Sequence, residues 1–225
     1  MPAVEISASR IVFDLDGTLI DTHTVTEAVY RDHSQRHGVD AQQVIDFCHG
    51  VPTLQVLQRL FPSSTHTREY ADQMELESAT RLSEIHTIPG TRALLESLPR
   101  GSWGIFTSGT RPLALPRLRH LELPVPDVFV TPTDIANGKP HPEGYELAAR
   151  KLGADPKACV VFEDAEAGVS AGQRSGAVVV GIRTMRSAEQ LKAAGASYTV
   201  RDMTRVTVQK DPQQADKLHI TLDES

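Results

Sequence analysis

The sequence contains few cysteines, no excess of positive charge and no long hydrophobic run. Cys48 and Cys159 are too few for a disulfide framework, so a reducing cytoplasm is the expected location. Lys and Arg number 23 against 29 Asp and Glu, and the net charge of −6 argues against binding nucleic acid or an anionic membrane. Ala177–Ile182, the best apolar run, has only the length of a strand, and residues 1–10 lack the pattern of a secretory signal.

The remaining composition is that of an ordinary globular protein. Hydrophobic residues make up 40% and charged residues 23% of the chain, which excludes a disordered protein, and 225 residues suffice for one or two domains. The motifs Gly-x-Gly-x-x-Gly and Gly-x4-Gly-Lys-Ser/Thr are absent, so nucleotide binding by those loops is not predicted. A monomer is the default expectation.

Short apolar runs alternate with helical patterns along most of the chain. This alternation favours a Rossmann-like α/β fold, in which helices cover both faces of a parallel sheet and ligands bind beyond the carboxyl ends of the strands. The predicted strands are Arg10–Phe13, Trp103–Thr107, Val128–Val130, Ala158–Phe162 and Ala177–Ile182. The helices predicted between and after them are Thr91–Leu98, Pro112–Leu121, His141–Leu152, Ala167–Ser175 and Ala188–Ala194.

One long segment interrupts this alternation. Residues 22–86 contain no convincing strand, and glycines and prolines separate their helical patterns. We therefore expect an α/β core domain of residues 1–20 and 87–225, with residues 21–86 inserted after the first strand as a helical domain. The end of the chain alternates in polarity at Val206–Val208 and Leu218–Leu222, which predicts a hairpin. The helices predicted within the insertion are Thr24–His37, Ala41–Phe47, Thr53–Leu60 and Thr67–Ser83.

The first predicted strand ends in two aspartates that can share one pocket. Asp14 and Asp16 are separated by one residue, so their side chains can converge where the strand breaks, and Gly17 lets the chain turn back. Such a sequence can also form an ordinary solvated turn. Two close carboxylates repel each other unless a cation lies between them, so a site for a hard divalent ion such as Mg²⁺ is a coherent alternative.

Three further groups of polar residues follow later strands or precede helices. Thr107–Ser108–Gly109 offers a hydroxyl and free backbone N–H groups that could hold an anion or simply cap a helix. Lys139 lies between Gly138 and Pro140, which suggests an ammonium held in a fixed direction, although a solvated lysine is equally ordinary. Glu163–Asp164 follows a buried strand, where two acids are costly unless they are exposed, paired or bound to metal.

The four groups in this order resemble the signatures of the haloacid dehalogenase superfamily. Asp14-x-Asp16-Gly17-Thr18 matches the first signature, Ser108 the second, Lys139 the third and Glu163–Asp164 the fourth. The helical insertion looks like the four-helix cap of that superfamily. Several segments, among them Gly138–Lys139–Pro140–His141–Pro142, are similar to bacterial sugar and sugar-alcohol phosphatases, fungal glycerol-1-phosphatases and 2-deoxyglucose-6-phosphatases.

The resemblance implies a Mg²⁺-dependent phosphatase that hydrolyses small sugar or polyol monophosphates. In this family the first Asp attacks phosphorus and the second acts as acid and then base, roles that fall here on Asp14 and Asp16. Mg²⁺ would be held by Asp14, the main-chain carbonyl of Asp16 and Asp164, with Glu163 either a ligand or a partner of the ligands. Ser108 and Lys139 would bind the phosphoryl oxygens and take part in catalysis.

Further substrate contacts are less clearly defined by the resemblance. Thr18 and the backbone of Gly109 would lie near the phosphoryl group, and Arg111 could contact the substrate or only cap a helix end. In the expected cap, which would close over the site and exclude water, His49 and Glu75 fall at positions that match the related sugar phosphatases.

Two alternatives stay open beside the phosphatase. A mutase similar to β-phosphoglucomutase would share the core and the cap, but this chain has Thr53 where those enzymes carry an arginine and Thr26 where they carry a histidine. Both departures favour hydrolysis. A non-catalytic sensor of phosphosugars on the same fold is the other alternative, and fold alone does not exclude it.

Overall fold

The computed structural model describes residues 3–211, 214 and 216–225. Its strands are β1 (Val4–Ala8), β2 (Arg10–Phe13), β3 (Ile20–Asp21), β4 (His86–Thr87), β5 (Trp103–Phe106), β6 (Val128–Val130), β7 (Cys159–Glu163), β8 (Val178–Ile182), β9 (Tyr198–Val200), β10 (Val206–Lys210) and β11 (Leu218–Leu222). Its α-helices are α1 (His23–His37), α2 (Ala41–Cys48), α3 (Thr53–Leu60), α4 (Arg68–Ala79), α5 (Thr91–Ser97), α6 (Arg111–His120), α7 (Glu143–Lys151), α8 (Glu166–Arg174) and α9 (Ala188–Ala194).

Six strands form a parallel sheet in the order β6-β5-β2-β7-β8-β9. β2 lies between β5 and β7, so the residues that follow these three strands meet at one edge of the sheet. The predicted α/β class with a parallel sheet is therefore confirmed, and all five predicted strands of the core are present.

Alternate residues of the central strands pack into two separate hydrophobic clusters. Ile11 and Phe13 of β2 belong to the cluster that includes residues of α5 and α6, whereas Val12 between them belongs to the cluster with residues of α7, α8 and α9. Side chains point alternately to opposite faces of a strand, so a strand that is buried on both faces must be apolar at every position. This burial explains the uninterrupted apolar sequence that leads into Asp14.

The first four helices surround a third hydrophobic cluster of their own, built around Val44, Val56 and Leu57. The two chain connections to these helices pair as antiparallel strands, with Ile20 opposite Thr87 and Asp21 opposite His86. We propose that residues 21–86 form a cap domain and that residues 1–20 and 87–225 form the core domain.

The structure differs from the sequence predictions at several places. β1 was missed, although its five residues alternate between apolar and polar as in a half-buried strand; it pairs with β11 in a second, antiparallel sheet. The proposed cap therefore begins within the third strand of the chain, β3, rather than after the first. Helix α4 ends at Ala79 instead of Ser83.

The C-terminal strands β10 and β11 pair antiparallel as predicted. The turn of this hairpin was predicted at Asp211–Gln214, of which residues 212 and 213 lie outside the described residues. None of the helices in the described part of the chain combines the length and hydrophobicity needed to cross a bilayer.

Candidate active site

Lys139 connects Asp14, the residue that follows β2, with Glu163, the last residue of β7. Its side chain is fully buried, and its Nζ lies 2.5 Å from Asp14 Oδ1 and 2.5 Å from Glu163 Oε1. Because Phe13 pairs with Phe162 in the parallel sheet, Asp14 and Glu163 leave the sheet near each other. Burial alone would lower the pKa of Lys139, but the two carboxylates more than offset it and raise the pKa. The lysine is therefore a permanent cation beneath the site.

Glu163 is held on both of its carboxylate oxygens. Oε2 accepts hydrogen bonds from the backbone N–H groups of Asp164 and Ala165, each at 3.0 Å. Oε1 accepts from Lys139 and, at 2.9 Å, from the hydroxyl of Tyr145. With four donors on two oxygens, Glu163 orients Lys139 and has little remaining capacity to bind a metal ion.

Asp14 differs from Glu163 because one of its oxygens is open. Oδ2 is buried and has no hydrogen-bond partner among the described residues. Burial raises the pKa of Asp14 although Lys139 opposes the shift, and the carboxylates of Glu163 and Asp164 add to the increase. Lys139 alone therefore does not fully compensate the negative charge of the Asp14 carboxylate.

The chemistry of this cluster fits a magnesium ion. Carboxylate oxygens of Asp14, Glu163 and Asp164 lie within 4.8 Å of one another, and all three residues are buried. Burial also raises the pKa of Asp164. Buried carboxylates require a compensating cation, and Mg²⁺ prefers oxygen ligands of this kind. Because the oxygens of Glu163 are occupied, Asp14 and Asp164 are the candidate side-chain ligands.

The Asp16 side chain points into a pocket and is held from two sides. Its Oδ1 accepts hydrogen bonds from Thr22 at 3.0 Å and from Arg117 Nη1 at 2.5 Å. Its Oδ2 is 3.4 Å from the hydroxyl of Thr107. Arg117 also donates through Nη2 to the hydroxyl oxygen of Ser78, at 2.6 Å.

The pocket lies between the strand ends of the core and helices of the cap, and holds about 710 Å³ including its open mouth. Its walls mix hydroxyl, imidazole, carboxylate and apolar groups, which suits a small hydroxylated molecule. It is lined by Asp14, Asp16, Thr22, His23, Thr26, Val29, Tyr30, Cys48, His49, Gly50, Val51, Thr53, Met74, Glu75, Ser78, Thr107, Ser108, Gly109, Leu113 and Arg117.

Ser108 and Gly109 line the pocket, as the sequence predicted for phosphate-binding groups. In this structure the Ser108 hydroxyl donates to the backbone carbonyl of Gly50, at 2.9 Å, and so connects core and cap. The Gly109 N–H donates to the Thr107 hydroxyl oxygen at 3.0 Å. Both groups must exchange these partners if they are to bind a phosphoryl oxygen.

The two predicted cap residues also line the pocket. Burial, together with the neighbouring His23, lowers the pKa of His49 to about 4, so this imidazole is neutral near pH 7. Glu75 accepts hydrogen bonds from the backbone N–H and the hydroxyl of Thr110, which hold it in place. Burial raises the pKa of Glu75, and the bonds from Thr110 oppose that shift.

Two predicted substrate contacts do not reach the pocket. The Thr18 hydroxyl donates to Asp164 Oδ1 at 3.4 Å, below the pocket, so Thr18 supports a candidate metal ligand. Arg111 donates to the carbonyl of Phe129 at 2.8 Å and its guanidinium lies over the Phe129 ring, which places it outside the residues that line the pocket. Its other predicted role, capping a helix end, does not match this contact either, because Phe129 lies in strand β6.

Sequence reasoning missed Arg117 and Ser78. Arg117 lies in a strongly basic helix, so its charge alone does not distinguish it from Arg119. A signal was present, because Leu113, Arg117 and Leu118 share the spacing of a buried helix face, and a basic residue on such a face needs a buried partner. Ser78, on α4, offers no comparable signal.

The chain is similar to a hydrolase family and to named phosphatases. Residues 11–182 match the family of haloacid dehalogenase-like hydrolases. Hexitol phosphatase A from Escherichia coli is 35% identical over 205 residues, covering 89% of this chain and 94% of that protein. 2-Deoxyglucose-6-phosphate phosphatase 2 from Saccharomyces cerevisiae is 35% identical, covering 92% of this chain and 93% of that protein.

The fold is also similar to that of a solved mutase. β-Phosphoglucomutase from Clostridium difficile superposes with a TM-score of 0.76 over 89% of this chain and 93% of that chain. The sequence identity is 24%, so this likeness concerns the fold alone.

Proposed function

This chain belongs to the family of haloacid dehalogenase-like hydrolases, and on that premise we propose that it is a Mg²⁺-dependent phosphatase of small sugar or polyol monophosphates. The observation that carries the proposal is the open Oδ2 of Asp14, buried beside the Lys139 ammonium in a pocket whose lining mixes polar and apolar groups. A carboxylate oxygen that is held by no other group of the described residues is free to act as a nucleophile. The substrates in the names of the relatives, a hexitol phosphate and 2-deoxyglucose 6-phosphate, indicate the substrate class.

In the proposed first half-reaction, Asp14 Oδ2 attacks phosphorus and forms an aspartyl phosphate. The bond between phosphorus and the leaving oxygen breaks, and Asp16 donates a proton to that oxygen as the alcohol departs. Lys139 holds the other oxygen of Asp14, which orients the nucleophile and brings a positive charge close to the phosphoryl oxygens.

In the second half-reaction, Asp16 acts as the base. It accepts a proton from a water molecule, whose oxygen attacks phosphorus, and the bond to Asp14 breaks. Inorganic phosphate leaves and the Asp14 carboxylate is restored. The pocket side chain of Asp16 is well placed for both steps, because it lies between the core and the cap at the level where a leaving alcohol would lie.

Magnesium would be held by Asp14 and Asp164, with the main-chain carbonyl of Asp16 as the further ligand that the resemblance implies. When bound, the ion would reduce the repulsion between the carboxylates and the phosphate. We assign Glu163 to the positioning of Lys139, because its two oxygens already accept four hydrogen bonds. The cytoplasmic location and the monomeric state stay predictions.

Hydrolysis is favoured over a mutase reaction by the charges around the pocket. A mutase must hold a second phosphate, which requires cationic groups on the cap side. Among the described residues that line the pocket, Arg117 is the one Lys or Arg side chain, and Asp16 already balances its charge. Thr26 and Thr53 also line the pocket, at the positions where the mutases carry basic residues.

The proposal is tested by measuring phosphate release from a panel of alkyl phosphates with Mg²⁺. The panel contains a hexitol phosphate, 2-deoxyglucose 6-phosphate, glycerol 1-phosphate and β-glucose 1-phosphate. We expect release from at least one of the first three, loss of release in Asp14→Asn, and no loss in Glu189→Gln, a control on the exposed side of α9. No release from any substrate, or full activity in Asp14→Asn, would refute the phosphatase; glucose 6-phosphate formed without net phosphate would identify a mutase.

A further inference from the structure

Arg117 connects the candidate acid/base residue to the cap. It lies on α6 of the core, and only 2% of its side chain is exposed. One terminal nitrogen contacts Asp16 and the other contacts Ser78, which lies on α4 in the segment proposed as the cap. The guanidinium thus bridges a residue that follows β2 and a residue of the insertion, across the pocket that separates them.

Burial makes this bridge energetically demanding. A guanidinium keeps its charge under all ordinary conditions, and removing it from water costs several kcal/mol unless a carboxylate and hydrogen-bond acceptors compensate. Asp16 is the carboxylate that does so, at 2.5 Å. The Nε atom of Arg117 is buried with no hydrogen-bond partner among the described residues. The side chain therefore depends on Asp16 and Ser78 to stay in this position.

The contact with Arg117 also distinguishes the two oxygens of Asp16. Oδ1 accepts from Thr22 and Arg117, so a proton carried by Asp16 must reside on Oδ2. Oδ2 lies beside Thr107, at the end of β5. With Oδ1 engaged, Oδ2 is the oxygen of Asp16 that is left to exchange a proton with the leaving group if Asp14 is the nucleophile.

We propose that Arg117 is a positioning residue for Asp16, and that through Ser78 it makes protonation of the leaving group depend on the position of the cap. The inference rests on the proposed phosphatase function. When core and cap are together, Arg117 reaches both partners and holds the carboxyl group of Asp16 with Oδ2 toward the leaving oxygen. When they separate, Arg117 loses Ser78 and the restraint on Asp16 weakens.

A consequence follows for substrates that differ in their leaving groups. A sugar or polyol leaves as a strongly basic alkoxide and needs a proton from Asp16 while the phosphorus–oxygen bond breaks. p-Nitrophenyl phosphate releases a stable phenolate that keeps the electron pair without protonation. Because kcat/KM reports the steps up to departure of the leaving group, loss of Asp16 positioning should lower kcat/KM for the alkyl substrate alone.

The experiment compares kcat/KM for the best alkyl phosphate of the panel with kcat/KM for p-nitrophenyl phosphate, at saturating Mg²⁺. In Arg117→Met we expect the ratio of alkyl to aryl kcat/KM to fall by at least about 10-fold, within the range of about 10² to 10⁴ that general acid catalysis contributes. Arg117→Lys should restore part of the ratio, since an ammonium can reach Asp16 or Ser78 but not both in the same geometry. Ser78→Ala should lower it in the same direction by a smaller factor.

Arg119→Met is the matched control, because it removes an exposed arginine from the same helix and should leave the ratio unchanged. An equal loss on both substrates in the Arg117 and Ser78 variants, or an unchanged ratio, would overturn the inference. Thermal unfolding of each variant shows whether it is folded; if Arg117→Met is not, Arg117→Lys and Ser78→Ala decide by the same ratio. Failure of the phosphatase proposal is distinct, because the wild-type protein would then release no phosphate from the panel.

Discussion

Removal of Lys139 should reveal how much the site depends on a single buried charge. In Lys139→Met, the side chain keeps a similar length but loses the ammonium that lies 2.5 Å from both Asp14 and Glu163. The side chains of these two acids are 5% and 0% exposed, so hydration by water cannot replace the lost interaction with the ammonium. Breaking a buried ion pair by removing one partner costs about 3–5 kcal/mol. For a chain of this length we expect a fall in Tm of roughly 6–20 °C.

The loss of stability should depend on pH. Burial already raises the pKa of Asp14, and Lys139 opposes that shift, so removal of the lysine raises the pKa further. A carboxyl group whose pKa is higher in the folded state stabilises the protein below its unfolded pKa and loses that contribution as pH rises through the folded value. The difference in unfolding free energy between wild type and Lys139→Met should therefore be large near pH 7.5 and smaller near pH 5.

Urea unfolding at several pH values measures this difference, and phosphate release should be abolished at all of them. Lys192→Met is a suitable control, because this lysine is half exposed and lies 3.6 Å from Glu224; its effect should stay within about 0.5 kcal/mol. Mg²⁺ should restore part of the stability of Lys139→Met by compensating the same carboxylates. A variant as stable as wild type near pH 7.5, or a deficit that does not change with pH, would refute this account of the site.

Three further predictions concern the neighbours of Lys139 and the cap. Gly168→Ala would place a Cβ 1.6 Å from Glu163 Oε1, so we expect lower stability and at least about 10-fold lower kcat, measured by unfolding and phosphate release. Glu163→Gln should lower kcat and weaken Mg²⁺ binding less than Asp164→Asn, which removes a candidate ligand and should weaken binding by at least about 10-fold in calorimetric titrations; equal losses of affinity would make Glu163 a ligand. His49 has a pKa of about 4 in the folded protein, below its ordinary 6.5, so the unfolded chain binds more protons between these values and stability falls as pH drops through this window. Urea unfolding of His49→Gln should show a smaller fall than wild type, and an identical fall would contradict the buried neutral imidazole.

The central contacts of the site were predictable from the sequence because parallel strands impose them. Once β2 and β7 are neighbours in one sheet, Asp14 and Glu163 must emerge side by side, whatever the details of packing. Lys139 was expected at the site only because its segment resembles a family signature, and its complete burial was not predicted. These contacts depend on the order of strands in the sheet, and the alternation of strands and helices along the sequence predicts a parallel sheet.

Other contacts depend on side-chain directions across the pocket, which the sequence does not specify. Thr18 was expected near the substrate, but its hydroxyl bonds to Asp164 because the turn at Gly17 directs it under the pocket. Ser108 was expected to bind phosphate, and here it bonds to a carbonyl of the cap. The bridge from Arg117 to Ser78 joins α6 and α4, which are far apart in the sequence. The sequence around either residue therefore did not predict the other as its partner.

The hydrogen bonds of the three central acids separate their roles. Glu163 has both oxygens engaged and is fixed in place, which suits a residue that only orients Lys139. Asp14 and Asp16 each have one restrained oxygen, Oδ1, bound to Lys139 in the first case and to Arg117 in the second. Each also has an oxygen with weaker or no restraint, Oδ2.

This shared pattern is what a two-step displacement requires of its carboxylates. One oxygen must be held, so that the group keeps its orientation while charge moves, and the other must remain available to phosphorus or to a proton. A fully restrained carboxylate could do neither, and an unrestrained one would lose its alignment. The cations that hold Asp14 and Asp16 come from different segments, since Lys139 lies in the loop before α7 and Arg117 lies on α6. The two restraints can therefore be removed independently. Lys139→Met should therefore abolish reaction with every substrate, whereas Arg117→Met should spare kcat/KM for the substrate whose leaving group needs no proton.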